Sequence, residues 1–147
     1  MIASIQKTPQ HWLSLDLCRT IFNTAKSSDS DYFTEPAFFD DRYEGRLEGI
    51  LGSVPQTWDG KLLHPTILKA ASAYLFKFIR LHPFHDGNKH FGVLFTHVFL
   101  QINDVDFTLP ENDFYLLAVN IAKNQNKTDE ELLKICEIII KENTKEL

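Results

Sequence analysis

His82-Pro83-Phe84-His85-Asp86-Gly87-Asn88-Lys89-His90 is a short polar turn set between two long apolar runs. Upstream, Ile67 to Leu81 is apolar nearly all round, with Leu68, Ala71, Leu75, Phe76, Phe78 and Ile79 in every sector. Downstream, Phe91, Val93, Leu94, Phe95, Val98, Phe99 and Leu100 do the same over residues 88–103. A helix without a polar face belongs in the centre of a domain. The stretch therefore predicts two buried central helices joined by one exposed loop. Pro83 ends the first helix, because its ring clashes with the preceding turn and it has no N–H to donate. Asp86-Gly87-Asn88 are turn residues, and Asn88 is expected as N-cap of the second helix.

The chemistry follows from that placement. A helix N-terminus carries unpaired N–H groups and about half a unit of positive charge, so it favours phosphates. The loop adds a cation (Lys89), a carboxylate (Asp86) and a titratable base (His82). That is the minimum kit for moving a phosphoryl or nucleotidyl group onto a hydroxyl. The competing reading is metal chemistry. His64, His82, His85, Asp86, His90 and His97 lie close in sequence, and a His-Asp doublet serves in metal-dependent phosphohydrolases, but such a site makes no use of Gly87-Asn88-Lys89.

His82-Pro83-Phe84-x-Asp86-Gly87-Asn88-Lys89 resembles the signature loop of the Fic/Doc superfamily, with seven fixed positions in order in a helix–loop–helix setting. The likeness runs over roughly residues 36–140, and Lys89 is similar to the Doc branch, the death-on-curing toxins of toxin–antitoxin modules. The resemblance implies an all-α helical bundle around a central helix–loop–helix, with a small β-hairpin flap. It implies His82 as general base, Asp86 as holder of Mg²⁺ on the nucleotide, and Gly87, Asn88, Lys89 and the residue at His90 as the phosphate-binding turn. It implies ATP as cofactor and a target protein with a reactive hydroxyl. In the Doc branch this is a Thr of elongation factor Tu, phosphorylated so that translation stops.

One position departs from the pattern. The superfamily has Arg where His90 stands, and often a second Arg where Val93 stands. A neutral imidazole is a poor substitute for a bidentate guanidinium. Three readings follow from the resemblance: a Doc-like phosphotransferase, a Fic-type adenylyltransferase, or an inactive binding module of the same fold. Glu44-Gly45, Glu48-Gly49 and Glu142-Asn143 end like the inhibitory helix of some members, but lack its Ser or Thr four residues earlier. Control by a separate antitoxin with a disordered tail is the expectation.

Composition bounds the rest. A chain of 147 residues with 44% hydrophobic residues fits one domain, with residues 1–11 and 143–147 loose. Twelve Phe point to a helical core filled with flat rings. A net charge of −5 argues against general nucleic-acid affinity. Cys18 and Cys136 read as buried free thiols. No apolar run of about 18 residues suggests a membrane span, and Met1–Lys7 does not resemble a leader, so a cytoplasmic protein is expected.

Outward from the loop, helical periodicity predicts helices over 12–26, 41–54 and 108–124, and a last one through Ile140. Asp41 is expected to cap the second, and the resemblance implies that Arg42 and Arg46 fall near the nucleotide side. Capping boxes are expected at Thr108/Glu111 and Thr128/Glu131. Tyr32–Asp41 reads as a loop packed by Phe33, Phe38 and Phe39. Trp58-Asp59-Gly60-Lys61 carries the Asp-Gly signal of a hairpin, the expected flap on which a target segment docks as an added strand. His64-Pro65-Thr66 opens the first central helix, and Gly92 marks a close approach by a neighbour or ligand.

Overall fold

The computed structural model describes residues 3–27, 38–85, 87–124 and 126–145. It is all-α, with two small antiparallel strand pairs. In chain order come α1 (Leu15–Ser27), α2 (Arg46–Ser53), β1 (Thr57–Trp58), β2 (Lys61–Leu62), α3 (Ile67–Leu81), α4 (Asn88–Ile102), β3 (Asp106–Phe107), α5 (Glu111–Lys123), α6 (Asp129–Glu142) and β4 (Thr144–Lys145). A short 3₁₀ turn, Ser4–Gln6, precedes them.

The two apolar runs form the expected central helices. α3 packs chiefly against α4 and α6, and α4 also carries α5. Tyr74, Leu75, Phe78 and Ile79 of α3 are fully buried, as are Phe91, Phe95 and Phe99 of α4. Gly92 lets the pair close: a Cβ built there would stand 2.9 Å from the Cβ of Phe78. Its neighbour is thus a packed side chain of α3. Flat rings do fill the core, with Phe22 of α1 stacked on Phe91 at 4.4 Å and Phe78 edge-on to Phe95 at 5.2 Å. Both cysteines are buried free thiols, and burial pushes each up to about 12.

Several boundaries differ from expectation. Asp41 does not cap α2; the helix starts at Arg46 behind Gly45, whose φ of 80° suits only glycine well. Pro65 lies before α3 rather than inside it, because the Thr66 hydroxyl is the N-cap and accepts from the Lys69 N–H at 3.1 Å. The Thr108/Glu111 box does not form. Pro110 precedes α5, and the Thr108 hydroxyl instead donates to the Asn143 carbonyl at 2.9 Å. The Thr128/Glu131 box forms in full. Phe38 is 76% exposed although Phe39 is buried; Phe33 lies outside the described residues.

Residues 3–11 and 143–145, within the ends expected to be loose, carry order. Ile5 is buried, the Lys7 carbonyl accepts from the Ile67 N–H at 2.8 Å, and the Asn103 side chain accepts from the N–H groups of Gln10 and His11. At the other end, Thr144 and Lys145 pair with Phe107 and Asp106, so residues 103–107 are more than the turn their composition suggests. No helix of the described residues is long and apolar enough to cross a membrane.

Candidate active site

The loop between α3 and α4 is built from its backbone outward. His82 ends α3 in the left-handed region, φ 44° and ψ 66°, and stands exposed. That twist turns the chain off the helix axis and lets Pro83 and Phe84 fall inward, both buried. Phe84 anchors the loop among the rings of Phe22 and Phe91, at 5.4 and 5.1 Å. Asn88 closes it: its Oδ1 accepts from the Phe84 N–H at 2.8 Å and its Nδ2 donates to the Phe84 carbonyl at 2.7 Å. The segment before α2 braces the outside. The Tyr43 N–H donates to the Pro83 carbonyl at 3.0 Å, and Arg42 pairs with Phe84 as an antiparallel bridge. His85 is exposed, its ring 4.2 Å from that of Tyr43 and its Nε2 3.7 Å from Asp41.

Asn88 is therefore not the N-cap. Gly87 takes that place with φ 76°, Asn88 is the first residue of α4, and among the described residues no side chain caps the helix. The Asn88 amide is spent on the loop, which keeps it off the helix end. Lys89 is half-buried at the same end. A phosphate fits this arrangement: a helix N-terminus with no side-chain cap among the described residues, a glycine in front of it and a lysine in its first turn. His90 points its ring elsewhere. It is buried and stacked on Tyr115 of α5, with centroids 3.7 Å apart and planes 7° from parallel. Asp86 lies outside the described residues.

On the other side of His82 a cleft of about 650 Å³ opens between α2 and α3. Arg46, Gly49, Ser53, Lys77, Arg80 and His82 line it, and of the described motif residues only His82 does so. Arg46 Nη1 donates to the His82 carbonyl at 3.2 Å, and its guanidinium lies over the Tyr43 ring at 4.0 Å. Lys77 Nζ donates to Ser53 Oγ at 2.7 Å, and burial pulls its pKa down. Arg80 Nη2 pairs with Asp129 at 3.0 Å, while its Nε is buried with no hydrogen-bond partner among the described residues.

The sequence-derived site is thus distributed over three places. His82, Gly87, Asn88 and Lys89 share the loop and the start of α4. His90 belongs to the packing under α5. Trp58, Asp59, Gly60 and Lys61 form the expected two-stranded hairpin, with φ of 53° and 76° at the two turn residues and Trp58 78% exposed. None of these four lines the cleft. The Arg46 side chain does reach the loop, whereas that of Arg42 is held by Asp40 and Glu48. Lys77 and Ser53 were not foreseen. The available signal was Lys77 and Arg80, three residues apart and so on one face of an otherwise apolar helix.

The remaining histidines serve locally. Burial lowers the pKa of His64, aided by the charges of Lys77 and Lys69. Burial likewise lowers that of His97, whose ring lies edge-on to Phe107 at 5.7 Å. Among the described residues no three side chains of His, Cys, Asp or Glu come together as metal ligands.

One family model, described as the Fic/DOC family, matches residues 12–100, from before α1 to near the end of α4 and across the whole loop. Neither the curated proteins nor the solved structures compared with the chain include a match.

Proposed function

The chain belongs to the Fic/Doc family, and from that premise we propose that it is a Doc-like protein phosphotransferase, moving the γ-phosphoryl group of ATP to a Thr or Ser hydroxyl of a target protein. The observation that carries this reading is the start of α4, which no described side chain caps, with Lys89 in its first turn, one short loop from the exposed His82. Bound ATP supplies the phosphoryl group. The backbone N–H groups after Gly87 and the Lys89 ammonium hold phosphate oxygens and offset the charge that builds on them during transfer. His82 takes the proton of the acceptor hydroxyl. Asn88 keeps the loop in the shape that presents both. Asp86 is proposed as the carboxylate that holds Mg²⁺.

Elongation factor Tu is the proposed target, the hairpin Trp58–Lys61 the proposed docking edge, and an antitoxin with a disordered tail the proposed partner, in the cytoplasm. The test is incubation with labelled ATP and elongation factor Tu, alone and within a bacterial lysate. A γ-label on a protein band supports the phosphotransferase; an α-label replaces it with an adenylyltransferase.

A second reading has its own observation. The His90 ring is buried on Tyr115, where relatives have an arginine reaching phosphate. That arrangement favours a binding module which holds a nucleotide or a protein without transfer. Retained nucleotide binding with no label on any protein supports it.

A further inference from the structure

The cleft between α2 and α3 is basic on a chain whose net charge is −5. Arg46, Lys77 and Arg80 line it, and among the described residues no carboxylate does. Among the described residues Arg46 and Lys77 have no acidic partner. Arg46 bonds only backbone carbonyls, and Lys77 bonds only the neutral Ser53 hydroxyl. A half-buried ammonium with no counter-charge pays for lost hydration without repayment, and its depressed pKa is the sign of that cost. An anion entering the cleft would supply the missing counter-charge. Exposed Gly49 on its wall leaves room for it: a Cβ built there meets nothing within 4 Å. At about 650 Å³ the space holds several side chains rather than one small ion.

The position of His82 decides the source of the anion. None of Gly87, Asn88, Lys89 or His90 lines the cleft, so it is a different wall from the phosphate-binding end of α4. His82 does line it. Whatever fills the cleft therefore lies beside residue 82, on the acceptor side. We propose that this cleft receives an acidic segment of the acceptor protein, its carboxylates paired with Arg46, Lys77 and, beside its existing bond to Asp129, Arg80. The hydroxyls selected are then those with Asp or Glu a few residues away. This rests on the reading of His82 as the base that meets the acceptor.

The test uses the full chain and three fluorescein-labelled nonapeptides, each with a central Thr flanked by Glu, Gln or Lys. Anisotropy is read with and without a non-hydrolysable ATP analogue, whose own binding is measured separately. The Glu peptide should bind about tenfold more tightly than the Gln peptide, and the preference should shrink as salt rises. Lys77→Gln and Arg80→Gln should each remove most of that preference and leave binding of the analogue unchanged. Gly49→Leu, which adds bulk at the cleft wall and keeps every charge, should do the same. Melting temperatures check that each variant is folded.

Equal affinity for the Glu and Gln peptides overturns the proposal, as does a Glu preference that survives all three substitutions. Loss of analogue binding in Lys77→Gln with the Glu preference intact also overturns it, and assigns the cleft to the nucleotide. A Glu preference that depends on the cleft, in a protein that binds no ATP analogue, supports the cleft and sinks the transfer reading instead.

Discussion

Asn88 clasps the backbone of Phe84 with both ends of its amide, accepting from the N–H at 2.8 Å and donating to the carbonyl at 2.7 Å. The two residues are one turn of chain apart, and the Phe84 ring sits in the core. The clasp therefore joins the shape of the loop to the packing of the domain. Everything proposed for His82 and for the start of α4 depends on that shape.

Asn88→Ala removes both bonds and leaves a buried N–H and a buried carbonyl without partners. The expected cost is about 2–3 kcal/mol, read as a fall of roughly 5–10 °C in melting temperature. Nucleotide binding should weaken as well, although the amide itself faces the protein. An unchanged melting temperature would show that water satisfies Phe84 as well as Asn88 does.

Gly92 and Gly49 should respond in opposite ways to alanine. At Gly92 the new methyl meets the Phe78 Cβ at 2.9 Å, and α3 and α4 must separate at a cost of about 1–3 kcal/mol. At Gly49 nothing is in the way, and the gain in helix propensity is up to about 1 kcal/mol. Urea unfolding measures both. Equal effects would mean that the contact between the central helices is not set by residue 92.

His82→Asn should abolish transfer and leave the fold intact. The residue is exposed, and asparagine accepts the left-handed conformation found there better than alanine does. His82→Ala should also be inactive, with a further loss of about 1 kcal/mol from the backbone. A transfer rate unchanged by either substitution removes His82 from the chemistry.

Two substitutions at the start of α4 separate the readings of function. Lys89→Gly should move activity from transfer of the γ-label towards the α-label. His90→Arg should raise the transfer rate at least about tenfold, since one guanidinium contact to a reacting phosphate is worth that or more. If His90→Arg lowers both the rate and the melting temperature, residue 90 serves only the stack on Tyr115.

Acid should destabilise the protein through His97. Burial holds its pKa below the ordinary 6.5, against the pull of Glu111 and Asp106. A histidine with a depressed folded pKa contributes stability that is complete above pH 6.5 and is lost as pH falls through the folded value. Melting temperature should therefore drop between pH 7 and pH 5, and His97→Gln should flatten the drop in part. His64 shifts in the same direction and accounts for a share of the remainder. The same slope in wild type and variant would clear His97 of this role.

By itself the sequence determined the two central helices, because a run without a polar face has nowhere to go but the interior. It determined the loop between them, because Pro83 cannot continue a helix, and it carried the motif that identifies the family. It also supplied the hairpin at Asp59-Gly60 and the Thr128/Glu131 cap, both local features written in adjacent residues. Only the tertiary structure decided what depends on residues far apart in the chain. Thr108 had a competing partner in Asn143, thirty-five residues away, so its capping box did not form. The Asn88 amide had Phe84 to hold, so the cap passed to Gly87. His90 found Tyr115, and Lys77 found Ser53, through contacts between helices that no spacing along the chain records. Local preference is worth a kcal/mol or so, about the size of one hydrogen bond. Where packing brings a second partner within reach, the outcome turns on that meeting, and only the assembled fold contains it.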